Sequence, residues 1–240
     1  MTFKENNDSK IKIFANLKMH VVGQLIDDYA KYMPNQSIGV FVPYPYLAYA
    51  RNLFDDTKLF VGAQNISAHS DGAYTGQVSA KIVLDVGVQT VLIGHSEVRR
   101  LGLDIEAIYQ QAAENNMNIV YCVGEDLAAY ESNQREAVLK EQLKGISALD
   151  SITIAYEPIW SIGTGRVASN DDINQSVKVI QDTMAEKSTG NIEAFDILYG
   201  GSVNNNNCLD ILNGTNVNGF LIGGAALSID NMLEVMKLCK

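Results

Sequence analysis

The sequence predicts an α/β fold, a single (β/α)8 barrel in which eight parallel strands are ringed by helices. Three observations carry that expectation. Short apolar, β-branched runs alternate strictly with longer amphipathic stretches, the pattern of βα units on a parallel sheet. The runs number eight, the count that closes such a barrel. No G-x-G-x-x-G follows the first run, so the signature of the rival doubly wound open sheet is missing. Residues 1–240 are expected to form one domain, because that length buries a large core and no linker or composition shift divides it.

The first strand is expected over residues 11–15 and runs into Asn16-Leu17-Lys18. The two-residue period of a strand puts Asn16 and Lys18 on one side and Leu17 on the other. A helix over 21–33 leads to a strand at 38–42, a helix over 46–54 to a strand at 59–63, and a helix over 79–86 to a strand at 91–93. That fourth strand ends in Gly94-His95-Ser96-Glu97, where Ser96 and Glu97 read as the first residues of a helix. Helix 104–117, strand 118–122, helix 127–144 and strand 152–156 follow. The sixth strand opens directly into Glu157 and the glycine-punctuated loop Pro158-Ile159-Trp160-Ser161-Ile162-Gly163-Thr164-Gly165. Ser169, with Asp172 three residues on, caps the helix over 171–187. Strand 195–199 with helix 205–212, and strand 219–222 with helix 229–238, complete the alternation.

Composition excludes several functions. With 47% hydrophobic and 19% charged residues the chain reads as an ordinary globular protein. Its formal charge of −10, from 18 basic and 28 acidic side chains, argues against nucleic acid or acidic lipid as partners. An anionic ligand must therefore be held by local donors. Cys122, Cys208 and Cys239 form an odd set without metal-type spacing, so neither a disulfide framework nor a metal is expected, and a reducing, cytoplasmic setting fits. The first ten residues are polar, without the apolar core of a signal peptide, and no apolar run is long enough for a membrane helix.

In such a barrel the working groups sit just past the carboxyl ends of the strands, and polar residues cluster there. Glu157 stands where a general base under a closing lid would sit, although a solvated carboxylate at a strand end reads the same way locally. Lys18 alone reads first as a snorkelling surface lysine. His95, at the start of a helix, feels the positive end of the helix dipole, which favours a neutral ring; a partly buried structural histidine is the plain alternative. Tyr199-Gly200-Gly201-Ser202 and Gly223-Gly224-Ala225 end the seventh and eighth strands, where side-chain-free turns let backbone N–H groups approach a phosphate. Cys122 reads as a buried packing residue.

Together these residues resemble the triosephosphate isomerase family. The matching motifs are Asn16-Leu17-Lys18-Met19, Gly62-Ala63-Gln64-Asn65, Gly94-His95-Ser96-Glu97, Cys122-Val123-Gly124-Glu125, the run from Ala155 through Gly165, Tyr199-Gly200-Gly201-Ser202-Val203, and Gly219-Phe220-Leu221-Ile222-Gly223-Gly224-Ala225. They fall in family order over nearly the whole chain. The resemblance implies cofactor-free interconversion of dihydroxyacetone phosphate and D-glyceraldehyde 3-phosphate through an enediolate. It assigns Glu157 as base, neutral His95 as electrophile and Lys18 as electrostatic stabiliser. The neutral histidine and the water-excluding loop belong to what is known of that family's chemistry. Substrate binding would fall to Asn16, Lys18, Gly163, Ser202, Gly223 and Gly224, with Glu97 in support near Lys18. Pro158 and the segment 163–168 would hinge a lid. The family also implies a homodimer in which Asp71-Gly72-Ala73-Tyr74-Thr75-Gly76 reaches the partner's site and Thr75 braces the Asn16 and Lys18 region.

The chain departs from the family pattern at named positions. Leu17 and His20 stand where Trp and Asn are usual, Gln77 and Val98 where a Glu and an Arg pair, and Ser161, Arg166 and Val167 vary the lid. Stretches 100–118 and 125–151 are shortened. Two alternatives remain: another phosphate-binding barrel enzyme, which would need a Schiff-base lysine or paired aspartates at strand ends, and a non-catalytic sugar-phosphate binder on the same scaffold.

Overall fold

The structure, a computed structural model, describes residues 11–147, 152–162, 166–187 and 195–239. Eight parallel strands close into a barrel in chain order: β1 (Lys12–Asn16), β2 (Ile38–Val42), β3 (Phe60–Ala63), β4 (Thr90–Ile93), β5 (Asn118–Val123), β6 (Ile152–Tyr156), β7 (Asp196–Tyr199) and β8 (Gly219–Ile222). The expected strands agree with these to within a residue or so.

Alternation along each strand sorts the side chains into two layers. Outward residues such as Ile13, Val40, Ile119 and Ile154 pack beneath the surrounding helices in the main core. Inward residues form a separate small cluster of Phe14, Phe41, Leu92, Val120, Cys122, Ala155, Leu198 and Leu221, with Phe60 against it. Its aromatic centre depends on two glycines. A Cβ on Gly39 would lie 2.5 Å from the Phe60 ring, and one on Gly62 would lie 2.4 Å from Phe41. Those vacated volumes let Phe14 meet Phe41 and Phe60 edge to face, at 5.8 and 5.7 Å between centroids. At the amino ends of the strands Lys12 pairs with Asp196 across the barrel. Continuing the inward period past the carboxyl ends reaches Asn16, Gly124, Glu157, Gly200 and Gly223, so strand register alone aims these positions into the mouth.

Ten α-helices are found among the described residues: α1 (Gly23–Tyr32), α2 (Leu47–Leu53), α3 (Ala80–Asp85), α4 (Ser96–Arg99), α5 (Ile105–Glu114), α6 (Leu127–Glu131), α7 (Arg135–Gln142), α8 (Asn170–Ala185), α9 (Cys208–Gly214) and α10 (Ile229–Leu238). The helix expected over 127–144 is two helices, because Asn133 takes φ +56° between them, a left-handed conformation that asparagine tolerates. The helix expected from residue 205 starts at Cys208, because the Asn204 and Asn207 side chains take up the Asn206 and Asn204 N–H groups in a local turn. Ser169 caps α8 as expected, its hydroxyl accepting from the Asp172 N–H at 3.1 Å. No described helix is long and apolar enough to cross a membrane.

Candidate active site

The mouth of the barrel holds a cavity of about 510 Å³ lined by Asn16, Lys18, His95 and Glu157 on one side and by the glycine turns after β7 and β8 on the other. Lys18 takes φ +47°, in the left-handed region. The turn is held by two amides. Asn16 Oδ1 accepts the Lys18 N–H at 3.0 Å, and Gln64 Nε2 lies 3.3 Å from Asn16 Oδ1, 2.9 Å from the Lys18 carbonyl and 3.1 Å from the Phe41 carbonyl. Leu17 points the other way and is fully buried.

The Lys18 ammonium lies 2.7 Å from Glu97 Oε1. Partial burial pushes the Glu97 carboxyl up, but its hydrogen bond to Lys18, reinforced by the charges of Lys18 and Arg100, holds it below the usual carboxylate range. Glu97 thus anchors the lysine as an ion.

His95 is buried and serves as N-cap of α4: its Nδ1 accepts the Glu97 N–H at 3.2 Å. A ring nitrogen that accepts a backbone N–H carries no hydrogen, so the hydrogen of the neutral ring sits on Nε2. Nε2 faces Glu157 Oε1 at 3.3 Å.

Glu157 is only 3% exposed. Its N–H continues the ladder to the Val123 carbonyl at 2.7 Å, and its Oε2 accepts weakly from the Ser96 N–H at 3.4 Å. Burial pushes its carboxyl up; His95, the Ser96 N–H, Lys18 and the Cys122 thiol offset part of that, and the net direction is upward. A carboxylate that accepts few hydrogen bonds in a dry wall holds a proton more readily, as a general base should. Two glycines make its place. A Cβ on Gly124 would fall 1.8 Å from the Glu157 carbonyl oxygen, and one on Gly200 would fall 2.8 Å from its Cγ. Cys122 is fully buried beside the base, and burial and the Glu157 charge push its thiol well above the ordinary value. That is a packing residue, not a nucleophile.

The far side of the cavity is nearly free of side chains. Gly223 precedes a 3-10 turn, Gly224–Leu227, and a Cβ there would meet the Lys18 chain at 3.3 Å; a Cβ on Gly224 would meet nothing. Ser202 donates from Oγ to the Ser161 carbonyl at 2.6 Å. After Glu157, Pro158 leads into a 3-10 turn, Ile159–Ser161. Fully buried Glu125 pins it, accepting from Trp160 Nε1 at 2.9 Å and from the Ile159 N–H on its carbonyl at 2.9 Å. On the other side of the loop the Ala168 N–H reaches Tyr199 Oη at 3.4 Å, while Ile162 and Val167 border the cavity. Gly163 lies outside the described residues.

Asn16, Lys18, His95, Glu157, Ser202, Gly223 and Gly224 therefore all line one cavity, and Glu97 stands directly behind Lys18. Thr75 does not line the cavity; it lies exposed on the loop over 71–77. Gln77, without a glutamate's charge, accepts from the Ser67 hydroxyl at 2.5 Å within its own loop, and Val98 packs against the main core. His20 borders the cavity mouth. Sequence reasoning singled out neither Gln64 nor Glu125 for a role of its own; the motifs Gly62-Ala63-Gln64-Asn65 and Cys122-Val123-Gly124-Glu125 contained both.

Polar groups gathered at the carboxyl ends of eight parallel strands mark a (β/α)8-barrel enzyme, and that is the class this fold and cavity define. Comparison with known proteins narrows it. The sequence model described as triosephosphate isomerase matches residues 11–239. Triosephosphate isomerase of Mesomycoplasma hyorhinis is 39% identical over 213 residues, which covers 86% of this chain and 85% of that protein. The Alkaliphilus oremlandii enzyme of the same name is 35% identical over 229 residues, with 91% and 92% covered. That of Dictyostelium discoideum is 33% identical over 240 residues, with 93% of each covered. The chain belongs to the triosephosphate isomerase family.

Proposed function

We propose that the protein is a single-domain, cofactor-free isomerase that interconverts dihydroxyacetone phosphate and D-glyceraldehyde 3-phosphate. The observation that carries this reading is the His95–Glu157 pair: a hydrogen-bearing Nε2 3.3 Å from a buried carboxylate, in the same cavity as a fixed ammonium. Glu157 removes a proton from the carbon beside the carbonyl and returns it to the neighbouring carbon. His95 donates from Nε2 to the carbonyl oxygen as negative charge grows there, and then exchanges protons between the two oxygens of the enediolate. Lys18, oriented with Asn16, stabilises the same charge; one such preorganised donor is commonly worth ~10²–10³ in rate. Backbone N–H groups of Ser202, Gly223, Gly224 and Gly163 hold the phosphate, which answers how a chain of net charge −10 binds a dianion.

The working unit is a cytoplasmic homodimer. Met19, Val21 and Ile82 are 94%, 95% and 52% exposed, and Tyr74 is 42% exposed on the loop that carries Thr75. Large apolar side chains left this exposed favour a covered surface, and in the dimer Thr75 braces the partner's Asn16 and Lys18.

The test is turnover of D-glyceraldehyde 3-phosphate by the purified protein, coupled to reduction of the ketone product. Rapid, saturable turnover is expected. Saturable binding of the triose phosphate without turnover would instead identify a non-catalytic binder.

A further inference from the structure

Arg99 ends α4, where arginines are ordinarily solvated. Its guanidinium instead folds back toward the barrel. Nε donates to the Gly94 carbonyl at 2.8 Å and Nη2 to the Cys122 carbonyl at 2.9 Å. Its central carbon sits 5.4 Å from the centre of the Tyr121 ring, and among the described residues it forms no ion pair.

The place of those two carbonyls explains the arrangement. β4 and β5 pair in register from Thr90 with Asn118 to Ile93 with Tyr121. The next rung would join Gly94 to Cys122, but Gly94 turns away at φ +72°. The guanidinium replaces that rung, since its planar fork presents two N–H groups at fixed spacing. A side chain at position 94 would obstruct it, because a Cβ there would lie 2.8 Å from Nη2. Gly94 carries His95 directly. Cys122 precedes Val123, whose carbonyl takes the Glu157 N–H at 2.7 Å. One side chain thus ties together the two backbone segments that set the His95–Glu157 spacing.

We propose that Arg99 is a positioning residue for the isomerisation, holding the proton donor His95 and the base Glu157 at one separation; this rests on the roles given to those two residues above. A lysine at 99 offers a point donor that can satisfy one carbonyl in place of two.

Arg99→Lys and Arg99→Gln test this with kcat, KM, thermal unfolding and the imidazole ¹⁵N resonances of His95 in unliganded protein. Loss of the fork is expected to lower kcat ~10–100-fold, the scale of an ångström of misplacement, with KM little changed. The His95 resonances should move. Combined with His95→Gln, Arg99→Lys should cost less than it does alone, because the ring it positions is gone. Wild-type kcat in either folded variant, or losses that multiply in full in the double variant, would overturn the proposal. The resonances need no turnover: unchanged His95 signals in a folded variant refute the positioning role by themselves. Shifted signals in a protein whose wild type does not isomerise would uphold that role and fault the isomerase reading instead.

Discussion

Shortening the base by one methylene probes the geometry most directly. Glu157→Asp withdraws the carboxylate by roughly one C–C bond, about 1.5 Å, which takes Oε1 from 3.3 Å to outside hydrogen-bond reach of His95 Nε2. The backbone cannot advance to compensate. The Glu157 N–H is tied to the Val123 carbonyl at 2.7 Å, and the Glu157 carbonyl oxygen fills the space where a Gly124 side chain would begin, 1.8 Å from the Cβ position. A displacement of about 1 Å typically costs ~10²-fold in rate, so kcat should fall by ~10²–10³, or about 3–4 kcal/mol of barrier. KM should change little, because three of the phosphate donors, Ser202, Gly223 and Gly224, lie on other loops. The coupled assay with D-glyceraldehyde 3-phosphate, read beside a circular-dichroism melt, measures both. A folded Glu157→Asp protein that kept kcat within about tenfold of wild type would show that this carboxylate is not the base.

Burial raises the folded-state pKa of Glu157 above its unfolded value, so the charged form costs stability above the unfolded pKa and that cost fades as pH falls through the folded one. Glu157→Gln should therefore raise the melting temperature near neutral pH, with the gain shrinking in acid; the same shift puts the acid limb of kcat/KM above the ordinary carboxylate range, and a limb at or below that range would contradict it. The two glycines beside the base should separate stability from activity. Gly124→Ala meets backbone at 1.8 Å and should cost at least the ~1–3 kcal/mol of overpacking, whereas Gly200→Ala presses chiefly on the Glu157 side chain, with Cγ at 2.8 Å, and should cut kcat more than it lowers the melt. Sedimentation velocity across concentration should give a dimer for wild type and a monomer for Val21→Asp, whose side chain is 95% exposed in a single chain; a monomeric wild type would remove the role given to Thr75.

The strands are legible in the sequence because each is buried on both faces and so reads as a short apolar run bounded by turn residues. The alternation of strands and helices then places Asn16, Lys18, His95 and Glu157 at one end of the barrel. What escapes a sequence reading is of two kinds. The break at Asn133 turns on one residue's tolerance for positive φ inside an otherwise helical stretch. Gln64, Glu125 and Arg99 act by binding carbonyls or an indole from elsewhere in the chain. Such partners leave no local periodicity, so an arginine that grips two strand ends has the same sequence appearance as one in solvent.

The aromatic plug built on Gly39 and Gly62 also bears on isotope traffic. Below the base lie Cys122, Leu198 and Leu92 and then the rings of Phe14, Phe41 and Phe60, so a proton on Glu157 meets water from the mouth side. A substrate seated in the mouth stands in that route. In deuterated solvent a share of product should therefore keep the hydrogen it arrived with, moved from one carbon to its neighbour. Opening the floor, as with Phe41→Ala, should lower that share even where turnover persists.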